Sequence, residues 1–236
     1  MNRKMTAVAM ACSLAFIAYT PMRAASAANA TPAPRVNREE LADTQNLVSE
    51  ATRTLEKMKS DPQIEALLKS AKGIFIVPNY GRGAFLVGGQ GGEGVMVARE
   101  DGNWSDPVFY HIAGISVGAQ FGAEGGQIAM LLLTDRAVDS FKKQNNFSLN
   151  ADAGLTIIDY SARAGDSMGK GDVVFWSDTE GAYAGASLGA TDIRYDNDAN
   201  RAYYRASNLS AERILSGQVM NPRPHAAQLK SALPAS

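Results

Sequence analysis

The hydrophobic pattern divides the chain into a helical first part and a strand-rich second part. From Asn37 onward, apolar positions recur every three or four residues with charged residues between them, which is typical of a helix with one buried face. Asn37 and Glu40 have the spacing of a capping box, so the sequence predicts that this helix begins there. Asp61-Pro62 predicts the cap and first residue of a second helix, which Gly73 terminates.

Beyond Gly73 the pattern changes to short apolar runs separated by glycines, which indicates strands. The predicted strands are residues 74–77, 84–87, 95–99, 114–121, 127–133, 153–160, 173–176, 182–188 and 202–204. Asp101-Gly102 and Asn197-Asp198 are typical of hairpin turns between strands.

Two short helices are predicted among these strands. Residues 136–143 form one, capped by Asp135, and residues 211–215 form the other, capped by Asn208 or Ser210. The strands follow one another closely with few helices between them. We therefore predict an α+β fold: an antiparallel β-barrel or sandwich with two N-terminal helices and two short later helices. We expect the chain to fray after Leu233.

The first residues predict a signal for export. Arg3 and Lys4 precede an apolar run, Met5 to Tyr19, which is too short and too interrupted to remain as a membrane anchor. Small residues follow, and they offer cleavage after Ala27 or after Ala30. The mature protein is therefore expected in the periplasm or elsewhere in the cell envelope.

Cys12 leaves a second route to the envelope open, because cleavage before it followed by lipidation would produce a lipoprotein. The usual leucine upstream of a lipidated cysteine is missing, which favours ordinary cleavage. We assign residues 1–27 to the signal peptide, 28–36 to a linker and 37–233 to a single domain. Since Cys12 is the only cysteine, the mature domain has no disulfide or thiol chemistry.

The charge balance argues against partners that are bound by bulk electrostatics. The full chain has 23 basic and 24 acidic residues, and the signal peptide contains three of the basic ones and none of the acidic ones. The mature chain is slightly acidic, so nucleic acid is not an expected partner. Binding to an anionic lipid surface would need a local cluster of cations.

The chemical motifs in the sequence favour structural roles. Residues 89–94 spell GxGxxG, but a strand follows where a dinucleotide site requires a helix, so a glycine-rich hairpin with closely approaching backbones is predicted. His111 lies in a predicted strand, and His225, next to prolines, is expected to be solvated. Neither has a ligand partner at metal-binding spacing. We predict no catalytic residues, no metal site and no cofactor.

A set of glycine-rich and aromatic blocks resembles the SYLF family of lipid-binding domains. The blocks are residues 71–78, 88–95, 102–107, 114–122, 135–141, 181–188, 200–204 and 214–217, and the resemblance covers about residues 55 to 233. It implies binding of phosphoinositides or other acidic lipids and, in fungal members, of actin. For an exported member we do not expect actin as the target, and a protein partner is unknown.

The sequence suggests where an anionic lipid would bind. Five basic residues crowd the stretch from the end of the first helix to a predicted loop at residues 79–83, where they could share one edge: Lys57, Lys59, Lys69, Lys72 and Arg82. The alternative is that these side chains are simply solvated. Two functions remain open at this point, a lipid-binding module and a structural or interaction protein of the envelope without lipid preference.

Overall fold

The computed structural model describes residues 38–85, 87–117, 122–149, 152–160, 171–178, 192–219 and 223–235. Its helices are α1 Arg38–Met58, α2 Pro62–Ser70, α3 Asp135–Lys143, α4 Asn197–Tyr204, α5 Ala211–Leu215 and α6 Pro224–Ala232. Its strands are β1 Gly73–Phe85, β2 Val87–Glu100, β3 Asn103–Trp104, β4 Val108–Val117, β5 Gly122–Leu132, β6 Asn146–Ser148, β7 Ile157–Asp159, β8 Val173–Ser177 and β9 Asp192–Tyr195. The α+β class is confirmed.

The strands form one nine-stranded sheet in the order β6-β9-β4-β2-β1-β5-β8-β7, with β3 paired to β2. Neighbouring strands are antiparallel, except that β7 and β8 are parallel. Within the described residues, the two terminal strands β6 and β7 do not pair with each other. Over the described residues the sheet is therefore single and open, which differs from the predicted closed barrel or two-sheet sandwich.

Strand β1 is longer than its sequence suggests. The predicted strands at 74–77 and 84–87 are separated by a presumed loop, but the structure carries β1 through this stretch, with an irregularity in register between Val77 and Tyr80. The loop prediction for residues 79–83 was wrong. Glycine is unfavourable within isolated strands, and here its lack of a side chain lets backbones approach: a Cβ at Gly92 would lie 2.6 Å from the carbonyl oxygen of Asn79.

Helices α1 and α2 lie where the caps predict them. Asp61 caps α2 by accepting a hydrogen bond from the backbone N–H of Gln63 at 2.8 Å. The cap of α3 is Thr134 rather than Asp135, which is the first helical residue. Ser210, one of the two candidates, caps α5.

The predicted turn at 197–198 and strand at 202–204 were wrong, because both belong to α4, whose cap is Asp196. Helix α6 was also missed, so the described residues contain four helices after α2 rather than two. The predicted strand at 182–188 lies outside the described residues. Pro234 accepts hydrogen bonds from Arg99 and Trp104, which contradicts the expected fraying after Leu233.

The hydrophobic core lies where α1 crosses the sheet. The buried face of α1 includes Val48, Ala51 and Leu55, all fully buried. Against the sheet, an aromatic cluster joins Phe75, Tyr110, Phe141 and Phe147 with ring centroids 5.1 to 6.1 Å apart. None of the described helices is long and apolar enough to cross a membrane.

Candidate functional site

The first two predicted lipid-binding cations lie at the end of α1. Lys57 Nζ is 2.7 Å from Asp178 Oδ2. Lys59 Nζ donates to the carbonyl oxygen of Ala232 at 2.9 Å and lies 3.4 Å from Glu56. Lys59 therefore connects α1 to the end of α6, and its side chain is only 29% exposed.

The next two cations flank the connection between α2 and β1. Lys69, in the last turn of α2, lies 3.5 Å from Glu65, and its side chain is 63% exposed. Lys72, immediately before β1, lies 2.6 Å from Asp135 at the start of α3. This pair is the more accessible one. Each of the four lysines also has a carboxylate within ion-pair distance, a relationship that sequence proximity alone did not reveal.

Arg82 lies far from Lys72. It is a strand residue, paired with Gln90 of β2 and Glu124 of β5, and not a loop residue as predicted. At about 3.3 Å per residue, the stretch from Gly73 to Arg82 spans about 30 Å. The structure therefore places Arg82 far from Lys72, and the expectation that all five cations share one edge is corrected.

Arg82 is instead close to the end of the β1–β2 hairpin. Phe85 pairs with Val87, so the chain reverses direction between them. We call the paired residues beyond Arg82 the hairpin end: 83–85 of β1, 87–89 of β2, 115–117 of β4 and 122–123 of β5. These residues are glycine, alanine, valine, isoleucine, phenylalanine and one serine, without a charge among them. The hairpin end was not singled out from the sequence, because its four segments are separate along the chain.

The GxGxxG motif has the structural role predicted for it. Residues 89–94 all lie in β2, and a Cβ at Gly91 would lie 2.7 Å from the carbonyl oxygen of Ile112 on β4. A Cβ at Gly94 would lie 2.4 Å from the ring of Phe75. The glycines allow close packing, which is what the hairpin interpretation requires.

The Trp104-Ser105-x-Pro107 motif anchors the C-terminal segment. Trp104 Nε1 donates to the carbonyl oxygen of Pro234 at 3.0 Å, and the carbonyl oxygen of Pro107 accepts from the Tyr204 hydroxyl at 2.6 Å. Asp106, buried between them, pairs with Lys230 of α6. A surface cleft of about 870 Å³ lies along this junction. The motif that carries the family resemblance thus joins β3 to α4 and α6.

His111 is a strand histidine, as predicted, and it has neighbours that the sequence did not indicate. Its Nε2 lies 2.8 Å from Asp196 Oδ2, and its Nδ1 lies 3.9 Å from Glu93 Oε1. These residues come from three separate segments, so no sequence spacing connects them. The cluster could have been found from the sequence only by predicting correctly that β2, β4 and β9 are neighbouring strands.

Comparisons with known proteins agree with the resemblance. The family model described as "Ysc84: Las17-binding protein actin regulator" matches residues 113–236. The chain is 34% identical to SH3 domain-containing protein PJ696.02 of Schizosaccharomyces pombe over 163 residues, which are 66% of this chain and 37% of that protein. It is 32% identical to LAS seventeen-binding protein 3 of Saccharomyces cerevisiae over 162 residues, which are 66% of this chain and 35% of that protein.

A human relative is similar over a shorter stretch. The chain is 33% identical to human SH3 domain-containing YSC84-like protein 1 over 128 residues, which are 53% of this chain and 37% of that protein. The chain spans little more than a third of the length of each of these relatives. The similarity therefore concerns one domain of larger proteins.

Proposed function

Because the chain belongs to the Ysc84 family, the SYLF-domain family that its glycine-rich blocks resemble, we propose that it is an exported, non-enzymatic binding module that attaches to anionic membrane surfaces. The family description and the name of the Saccharomyces cerevisiae relative refer to binding proteins. The single observation that carries the membrane proposal is the uncharged hairpin end beside Arg82.

The length of the hairpin end suits shallow insertion into a bilayer. Its three paired rows beyond Arg82 extend about 10 Å along the strands at about 3.3 Å per residue. Interfacial protein segments bury apolar surface to a depth of about 5–10 Å. Strands that remain paired to one another also avoid exposing unpaired backbone N–H and C=O groups to lipid, which would be costly. An inserted hairpin end would hold Phe85 and Val87 deepest.

Arg82 would then lie at the level of the headgroups. By backbone register it lies opposite Glu124 of β5, one row back from the uncharged residues of the hairpin end. Each basic residue near an anionic surface contributes about 1 kcal/mol, which explains a preference for acidic lipids in an acidic protein.

Lys69 and Lys72 are the second place where headgroups can bind. Their ion pairs with Glu65 and Asp135 are exposed, and such pairs contribute only about 0–1 kcal/mol, so a phosphate can exchange for a carboxylate at small cost. Lys57 and Lys59 are less suited, because Lys59 is committed to α6 and Asp178 is largely buried beside Lys57. Since the two binding places are far apart along β1, their contributions are separable by mutation.

The alternative function is an interaction protein of the envelope without lipid preference. What favours it is that the family description and the name of the Saccharomyces cerevisiae relative refer to binding of a protein, LAS seventeen. Under this alternative the open sheet would bind a protein partner, and binding would not depend on the lipid composition of the membrane. The two functions differ in one measurement, the dependence of binding on lipid charge.

Liposome flotation of the mature chain beginning at Ala28 tests the proposal. Liposomes of phosphatidylcholine alone are compared with liposomes containing phosphatidylglycerol, at low and high salt. We expect flotation with the anionic liposomes, weakened by salt. The double variant Phe85→Ser, Val87→Ser should bind at least about tenfold more weakly, because burial of such side chains contributes about 1.5–3 kcal/mol each.

The basic residues require a control that changes the charge equally elsewhere. Lys69→Ala with Lys72→Ala should weaken binding about thirtyfold at low salt, at about 1 kcal/mol for each residue. Arg53→Ala with Lys143→Ala is the matched control, since both side chains are exposed and paired within their own helices. Lys142 is unsuitable as a control, because its side chain is 12% exposed and contacts Glu100. Equal losses of binding in both double variants would indicate bulk electrostatics. If the wild-type protein itself does not float with anionic liposomes, the lipid proposal is rejected.

A further inference from the structure

A histidine and two carboxylates meet on one face of the sheet, away from the hairpin end. Glu93 of β2 and His111 of β4 are directly paired across the strands. Asp196 follows β9, the strand on the other side of β4. One donor atom from each residue can be chosen so that all three lie within 4.8 Å of one another.

Asp196 is fixed in an orientation that leaves one oxygen for a ligand. Its Oδ1 caps α4 and accepts the backbone N–H groups of Asp198 at 3.0 Å and Ala199 at 2.9 Å. Its Oδ2 faces His111 Nε2 at 2.8 Å, and its side chain is 10% exposed. A carboxylate held by backbone donors in this way has its position set before a cation arrives, as the outer contacts of metal ligands commonly do.

The surroundings carry an excess of negative charge. The pKa of Glu40, at the start of α1, is raised first by burial and then by the charges of Asp196 and Glu93. By strand register the basic neighbour is Arg194, an exposed residue opposite His111 on β9. Since Glu93 and Asp196 lie beside one imidazole and their charges also act on Glu40, a divalent cation between them would relieve this repulsion.

We propose that Glu93, His111 and Asp196 bind a divalent transition-metal ion, with Zn²⁺ as the best match. An imidazole nitrogen with two carboxylate oxygens suits Zn²⁺, whereas Mg²⁺ and Ca²⁺ prefer oxygen ligands alone. One ion binds only one imidazole nitrogen, and Asp196 faces Nε2. The exposed Glu93 side chain, now nearest to Nδ1, would therefore rotate towards the Nε2 side to complete bonds of about 2.0–2.2 Å. The half-exposed His111 leaves further coordination positions open to water or a ligand.

The site would join three structural elements that are not adjacent in the sequence. An ion there would connect β2 and β4 to the beginning of α4, whose residues Tyr203 and Tyr204 are buried in the core. Binding to the folded state alone stabilises it, so metal would raise Tm. This inference does not depend on the membrane proposal, because the site lies outside the hairpin end.

Calorimetric titration of ZnCl₂ into the metal-free mature chain, without an affinity tag, tests the site. We expect one Zn²⁺ per chain and an increase in Tm of about 5 °C at saturating metal. His111→Gln should weaken binding at least tenfold while retaining a hydrogen-bonding side chain beside Asp196. Asp196→Asn should do the same, because an asparagine still caps α4 but lacks the charge.

The control is His225→Gln, which removes the other histidine of the mature chain. It should bind Zn²⁺ as the wild type does. Circular dichroism of the metal-free variants establishes that each is folded. Equal affinity of wild type and His111→Gln would overturn the proposal, and so would an equal loss in His225→Gln or binding of MgCl₂ in preference to ZnCl₂.

Discussion

The side-chain amide of Asn200 pairs with the backbone of Phe109 as a neighbouring strand would. Its Oδ1 accepts the N–H of Phe109 at 3.2 Å, and its Nδ2 donates to the carbonyl oxygen of the same residue at 2.9 Å. Nδ2 also donates to the carbonyl oxygen of Asp196 at 2.6 Å. Asn200 is 1% exposed, so water cannot replace these bonds. The residue therefore attaches α4 to β4.

Asn200→Asp should be more damaging than Asn200→Ala. Alanine leaves buried backbone groups unpaired, which costs about 1–3 kcal/mol, whereas aspartate adds a carboxylate facing two carbonyl oxygens. Urea unfolding monitored by circular dichroism measures both. Asn103→Asp, at an exposed position, is the control and should change the free energy of unfolding by less than about 0.5 kcal/mol. If the two Asn200 variants were equally stable, the paired geometry would be wrong.

Gly94 cannot accommodate a side chain. A Cβ there would lie 2.4 Å from Phe75 Cε2 and 2.8 Å from Val77 Cγ2, both buried. Gly94→Ala should lower the free energy of unfolding by about 1–3 kcal/mol through overpacking. Gly81→Ala is the matched control on the adjacent strand, where the nearest atom lies 4.0 Å away. It should be neutral or slightly stabilising, since alanine restricts the unfolded chain. A neutral Gly94→Ala would contradict the tight packing.

Local signals predicted the elements that local interactions determine. The spacing of apolar residues and the Asp61 cap gave α1 and α2 correctly, because a helix buries one face and satisfies its own first N–H groups. The extent of β1 could not be predicted, since its glycines are tolerated only because neighbouring strands approach them. Helix α4 was missed because Tyr203 and Tyr204 favour strands by propensity, while the Asn200 contacts that hold the helix are made across the fold.

The candidate sites needed knowledge of which strands are neighbours. Lys72 and Arg82 are close in sequence, but an extended strand places them at opposite ends of β1. Glu93, His111 and Asp196 are far apart in sequence, yet β2, β4 and β9 lie side by side. Proximity along the chain thus suggested that the five basic residues share one edge, which they do not. It gave no indication of the hairpin end or of the histidine cluster, whose residues come from separate segments.

Export is a separate prediction, and it concerns residues before the described part of the chain. Arg3 and Lys4 followed by an apolar run and small residues are typical of a cleaved signal peptide. Expression with the native N-terminus should give a processed protein beginning at Ala28 or Thr31 outside the cytoplasm. Mass spectrometry of the purified protein measures the cleavage point, and fractionation measures the location. A lipid-modified N-terminus at Cys12 would instead support the lipoprotein route, and an unprocessed cytoplasmic product would contradict both.

Because of Asp172, the free energy of unfolding should depend on pH in the acidic range. Burial of this carboxyl acts to raise its pKa, but hydrogen bonds from the Thr156 N–H at 2.9 Å and from Arg136 and Thr134 at 2.6 and 2.8 Å outweigh burial and lower it. A group whose pKa is lower in the folded state stabilises that state above its unfolded pKa, near 4, and loses this contribution as the pH falls through the folded pKa. The free energy of unfolding should therefore fall below about pH 4.

Asp172→Asn separates this contribution from general acid unfolding. The asparagine can still accept a hydrogen bond from the Thr156 N–H but loses the charged contact with Arg136, so it should cost about 2 kcal/mol at pH 7. The difference from wild type should begin to shrink as the pH falls below about 5, because the unfolded carboxyl is then protonated, and it should disappear only below the lowered pKa of the folded state. Urea unfolding at a series of pH values measures it. Asp139→Asn, which breaks an exposed pair with Lys143, is the control and should show little difference at any pH. A constant deficit for Asp172→Asn down to pH 3 would show that shape rather than charge determines the role of Asp172.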